Sequence, residues 1–185
     1  MHRGDEQLLS AGSDATSAFR MKKILVPVDF SECATKALQY AIPLARQHGA
    51  SLTLLYVVPP IHVPGEFGVV DTTSAEMAMC EAGTGQLRTL ASEQIGQTVP
   101  YETAVRLGSP VIEILDVAKG QNVDAIVIST HGRTGLKHVL LGSVVERVVQ
   151  RAPCPVLVVR EREHEILASP AATSPVPPAA GKSAA

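Results

Sequence analysis

The chain has 185 residues, of which 45% are hydrophobic and 3% aromatic, and its formal charge is −2. That suffices for one domain core of Val, Ile, Leu and Ala, which suits buried parallel strands covered by helices. It excludes the basic stripe of a nucleic-acid binder, and no apolar run approaches the ~20 residues of a membrane span.

Three cysteines, Cys33, Cys80 and Cys154, lack metal-ligand spacing and read as reduced thiols in a cytoplasmic protein. Residues 1–20 are polar, mixed in charge and without the apolar centre of a secretory signal. They are expected to be a flexible N-terminal extension, with Met21 resembling a second start. Residues 163–185 are rich in Pro, Ala and Ser, the composition of a disordered tail. One α/β domain is expected over residues 21–162.

Within it, Ile24–Val28 is an apolar run that predicts the first strand. Ser31 is a helix N-cap, followed by Ala34, Ala37, Leu38, Ala41 and Ala45 at helical spacing, with Gly49 as the stop. Pro43 lies inside this helix and is expected to kink it. Ser51–Val58 predicts strand two, ended by Pro59-Pro60, and residues 61–73 read as an irregular loop. A helix over Ser74–Gln94 follows, weakened by Gly83 and Gly85. Pro100–Arg106 is strand three, and Gly108-Ser109-Pro110 reads as turn, N-cap and first helical residue of a helix to about Gln121. Asp124–Ser129 is strand four, Ser143–Arg151 the last helix and Pro155–Arg160 strand five.

Strands alternating with helices require crossover connections, which are right-handed. The expected fold is an open doubly wound α/β sheet of five parallel strands, order 3-2-1-4-5, with helices on both faces. The order reverses between strands one and four, and ligands bind beyond the carboxyl ends of strands at such a switch point. Those ends are Val28-Asp29 and Ser129–Gly132.

The segment after strand four has the form Ser129-x2-Gly132-x9-Gly142-Ser143. Gly132 admits close approach of a ligand to the backbone. Gly142-Ser143 sets N–H groups and a hydroxyl at a helix start, where phosphate is favoured. Equally, Ser143-Val-Val-Glu146 has the form of a capping box that satisfies the helix internally. Asp29 reads as an acceptor for a ribose hydroxyl, as the holder of a nucleotide-borne Mg²⁺, or as a helix-start acid. The main chain of Val57 is placed to face an adenine edge or to pair within the sheet. His131, Arg133 and Lys137 lie between the two turns, as phosphate partners or as a solvated basic face. Cys154, between two prolines, reads as a buried strand-entry residue.

Gly181-Lys182-Ser183 imitates the end of a P-loop, but Val176 occupies the required earlier glycine position and no strand precedes it. No G-x-G-x-x-G follows a strand either. No nucleophile, base and orienting carboxylate share a motif, so no catalytic residue is assigned and any hydrolysis is expected to be slow and incidental.

Three stretches, Lys22–Ser31, Leu52–Val57 and Asp124–Arg160, closely resemble the universal stress protein family. The block His131-Gly-Arg-Thr-Gly-Leu-Lys-His-Val-Leu-Leu-Gly-Ser143 and the later Pro153-Cys-Pro-Val-Leu-Val-Val159 carry the resemblance most specifically. It implies the same five-stranded fold and a homodimer built by antiparallel pairing of the last strand, here Val156–Val159. It also implies an ATP site of the pattern Gly-x2-Gly-x9-Gly-(Ser/Thr), which this chain meets at Gly132, Gly142 and Ser143 and departs from at Ser129. By resemblance Pro27, Val28 and Asp29 lie at the ribose or metal, Val57 and Ile128 at the adenine, and Ser129, Gly132, Arg133, Gly142, Ser143 and Val144 around the phosphates. The function implied is a stress-response sensor or regulator that binds ATP with Mg²⁺ and acts on a regulatory protein partner. The alternative is a stress protein that binds no nucleotide and works as an interaction dimer.

Overall fold

The computed structural model describes residues 20–62, 71–130 and 141–160. The elements are β1 (Lys23–Val28), α1 (Glu32–His48), β2 (Ser51–Val58), α2 (Thr73–Gln94), β3 (Tyr101–Leu107), α3 (Pro110–Gly120), β4 (Ala125–Ser129), α4 (Ser143–Arg151) and β5 (Val156–Val159). All four strand pairings are parallel, and the order is β3-β2-β1-β4-β5, as the sequence predicts.

Alternation along the central strands sorts the core into two layers. Ile24, Val26 and Val28 of β1, Leu52 and Leu54 of β2, and Ala125 and Val127 of β4 join the layer that contains residues of α1 and α2. Leu25, Leu55, Ile126 and Ile128 join the opposite layer, with Ile114 and Val117 of α3 and Val145 and Val148 of α4. Both faces of β1, β2 and β4 are thus covered, which explains why these strands read as continuous apolar runs rather than alternating ones.

Local chemistry fixes the ends of α1. The Ser31 hydroxyl accepts from Ala34 N–H at 3.2 Å. At the other end Gly49 adopts φ +65°, and Ala50 N–H reaches Ala45 O at 2.9 Å, which satisfies the last carbonyls. The helix runs unbroken through Pro43. Gly83 of α2 has a packing reason: a Cβ there would lie 2.6 Å from the Tyr56 ring. Gly85 faces open space.

Asp124 joins the start of β4 to the start of β1. Its Oδ2 accepts from Lys22 N–H at 2.6 Å and Lys23 N–H at 2.9 Å. These two backbone donors, with weaker help from the charges of both lysines, hold its carboxyl below the usual carboxylate range against a small desolvation penalty.

Candidate nucleotide site at the switch point

β1 pairs with β2 along six positions, Lys23–Val28, but with β4 at only two, Ile24 with Ala125 and Leu25 with Ile126. The β1–β4 ladder therefore stops short of Val28 and Ser129. A reversal of strand order opens a crevice at such a point, and Pro27, Val28, Asp29, Ile128 and Ser129 lie at the ends of these two strands.

Three of the predicted residues fall in one apolar group. Val57 and Val144 pack against the layer that holds Ile128. Pro27 and Asp29 share the phase of Leu25, which belongs to that same layer. Val28 belongs to the α1–α2 layer, and Ser129 follows the phase of Ala125 and Val127, which lie there too. Ser129 is 7% exposed, so it is buried at the sheet end. Main-chain pairing at Val57 is with β3, in register with Arg106, so the ladder reading of that backbone holds.

The N-terminus of α4 differs from the capping-box alternative. The N-cap is Gly142, not Ser143, so the cap residue supplies no side-chain hydrogen bond to the helix. Ser143 is instead the first helical residue and is exposed. Glu146 N–H bonds to Gly142 O at 3.0 Å, an ordinary helical bond. A glycine N-cap offers the first helical N–H groups no side-chain acceptor of its own.

Gly142 is held by the end of β4. Its N–H donates to Thr130 O at 2.9 Å, and Thr130 N–H donates to Val159 O at 2.9 Å. Gly142 has φ −65° and ψ 148°, which any residue can adopt. Crowding favours the glycine instead: a Cβ would sit 3.0 Å from that same Thr130 oxygen. Thr130, 2% exposed, is a positioning residue that the spacing of glycines does not reveal.

Asp29 is half-buried at the end of β1, where its Oδ1 accepts from Ser31 N–H at 3.1 Å and Ser31 Oγ–H at 2.6 Å. Asp-x-Ser is a recognisable turn signature, so Ser31 was legible as a partner as well as a cap. Between them Phe30 adopts φ +63°. For a bulky residue that conformation costs about 1–3 kcal/mol. Phe30 offsets part of it by packing on Tyr56, ring centroids 4.6 Å apart and planes at 53°.

Gly132 and Arg133, with His131 and Lys137, lie outside the described residues, as do residues 1–19, 63–70 and 161–185. Among the described residues, no group of three His, Cys, Asp or Glu side chains is gathered to hold a metal ion. Cys154 is half-buried, and burial followed by the nearby Asp124 charge pushes its thiol up. That is the opposite of activation.

Comparison with known proteins matches residues 21–160 to the universal stress protein family. This chain belongs to the universal stress protein family. It is 36% identical over 147 residues to the universal stress protein MJ0531 of Methanocaldococcus jannaschii, covering 78% of this chain and 85% of that one. The universal stress protein YxiE of Bacillus subtilis is 34% identical over 149 residues, with 75% and 98% covered. The solved structure of MJ0577, also of Methanocaldococcus jannaschii, has TM-score 0.67 and 30% identity, with 78% of this chain and 99% of that chain covered. Two more distant universal stress protein structures share the fold. One, in complex with cAMP, has TM-score 0.54 and 21% identity, covering 76% of this chain and 98% of its own. The other, from Archaeoglobus fulgidus and in complex with dAMP, has TM-score 0.52 and 22% identity, covering 75% and 97%.

Proposed function

We propose that this universal stress protein is a cytoplasmic regulatory homodimer that binds ATP with Mg²⁺ at the β1–β4 crevice. The observation that carries the reading is the start of α4. A helix N-terminus whose N-cap is a glycine, which has no side chain of its own to cap it, is anchored at the end of β4 beside the switch point. Backbone N–H groups in that arrangement favour phosphate oxygens. The solved complexes with cAMP and dAMP support adenine nucleotides as the ligand class for this fold.

Within this reading, Ser143 and Val144 offer N–H groups to phosphate, and Gly132 and Arg133 complete the phosphate region. Val57 and Ile128 supply the apolar wall for the base. Pro27, Val28 and Asp29 border the ribose, and the Asp29 carboxylate is the protein's contribution to Mg²⁺, the rest coming from phosphate and water. A single carboxylate without a cage suits a metal that arrives with its nucleotide. Bound ATP supplies a phosphate-dependent signal, and the chain's part is to bind and orient it. The domain acts as a sensor, and any ATP hydrolysis by it is slow and incidental. Its output passes to a regulatory protein partner.

The dimer is supported by topology. β5 is an edge strand, and Leu157 on it is 44% exposed. An apolar edge is an association surface unless it is paired.

One observation favours the alternative, an interaction dimer that binds no nucleotide: contact with Thr130 accounts for Gly142 without a ligand. Residue 129 separates the two. Titration calorimetry with Mg-ATP on the parent and on Ser129→Gly is the test. Binding by the parent supports the sensor, whereas binding only by Ser129→Gly establishes the alternative.

A further inference from the structure

We infer that Tyr56 and Gly83 are positioning residues for Asp29, acting through Phe30, so that the seat of α2 on the sheet sets the ligand-binding geometry of the β1 end. The inference rests on the proposed nucleotide site and deepens it.

The chain of contacts is short and each link is specific. Asp29 and Ser31 close a turn through two hydrogen bonds, at 2.6 and 3.1 Å, around Phe30. Phe30 is the bulky residue within that turn and takes φ +63°, a conformation that L side chains avoid unless their surroundings impose it. Its ring packs on Tyr56, at 4.6 Å between centroids, and on the α1–α2 core layer, and Phe30 lines a cleft with Gln86, Thr89, Leu90 and Glu93 of α2. Tyr56 in turn lies so close to α2 that a Cβ at position 83 would stand 2.6 Å from two of its ring carbons. A glycine inside a helix is unfavourable unless something needs the space, and here the Tyr56 ring fills it.

The side chains divide between the two layers. Phe30 and Tyr56 pack in the α1–α2 layer. Asp29 follows the phase of Leu25, on the α3–α4 side. A shift of α2 that moves Tyr56 therefore moves Phe30 and turns Asp29 on the opposite face. Packed side chains carry coupling of this kind, and these rings form such a chain between α2 and the β1 end.

The test compares Gly83→Ala and Tyr56→Leu with the control Gly85→Ala, which lies on the same helix in open space. Gly83→Ala crowds the ring, whereas Tyr56→Leu removes it without crowding, so loss of fold in one leaves the other informative. Two quantities are read: affinity for Mg-ATP and the carboxyl-carbon resonance of Asp29 without nucleotide. Loss of one hydrogen bond to a charged group predicts about tenfold weaker affinity for both variants, a displaced Asp29 resonance in both, and neither change in Gly85→Ala. Parental affinity and an unmoved Asp29 resonance in folded Gly83→Ala and Tyr56→Leu overturn the inference. If the parent itself binds no Mg-ATP, the proposed function falls, and the Asp29 resonance alone still decides whether the path exists.

Discussion

Gly142 and Thr130 meet backbone to backbone: the glycine N–H donates to the threonine carbonyl at 2.9 Å, and a Cβ on the glycine would stand 3.0 Å from that oxygen. One hydrogen bond thus brings the two ends of the intervening segment together and aims the start of α4 at the β4 end. The glycine has a structural duty whether or not phosphate binds beside it.

Gly142→Ala should therefore act on both stability and binding. The neighbour is backbone and cannot rotate away, so overpacking of about 1–3 kcal/mol is expected. Thermal unfolding without ligand measures that part. The loss of Mg-ATP affinity beyond it, read by titration on the folded fraction, measures displacement of the α4 N–H groups.

Two glycines inside α2 should respond in opposite directions. Gly85→Ala meets nothing within 4 Å and should stabilise by about 0.5–1 kcal/mol through helix propensity. Gly83→Ala should destabilise, because its Cβ meets the Tyr56 ring at 2.6 Å. Urea unfolding midpoints of the two variants check the contrast, and equal shifts would contradict the packing described.

Asp124 predicts a particular acid limb. Its folded-state pKa is depressed, chiefly by the Lys22 and Lys23 N–H groups, so the unfolded chain binds its proton more readily. Its stabilisation is thus fully present above the unfolded value, about 3.9, and is lost as pH falls through the lower folded value. The carboxyl is largely solvated, so screening keeps the contribution below about 1 kcal/mol. Asp124→Asn should lower stability at pH 7 and flatten the decline below pH ~4. A decline of parental steepness in the variant would assign it to other carboxylates.

Leu157→Lys should dissociate the proposed dimer. A charge on an exposed edge position opposes strand addition, while the outward side chain leaves the fold intact. Sedimentation of the parent should give twice the monomer mass and the variant the monomer mass, with unchanged circular dichroism.

Much of the fold was legible because each strand carries a period or a stop. Ser51–Val58 and Ser143–Arg151 have the boundaries read from sequence, since Pro59-Pro60 closes one and Gly142 opens the other. Strand order was legible only through the right-handed crossover rule and the resemblance. The capping box at Ser143 was the misreading. Its residue types are right, but the bond from Gly142 to Thr130 starts the helix one residue earlier than a serine cap would. Thr130 and Phe30 carried no signal, because a carbonyl that accepts one hydrogen bond and a positive φ in an aromatic residue leave no mark on composition or spacing.

The central claim is that the β1–β4 crevice holds an adenine nucleotide. It is tested most directly by denaturing freshly purified protein, identifying the released small molecules by mass spectrometry and counting them per chain. The account predicts near-stoichiometric ATP in the parent and its loss in Gly142→Ala. A parent that releases no nucleotide, and shows neither heat nor thermal shift with Mg-ATP, would contradict it and leave the interaction dimer as the function of this fold.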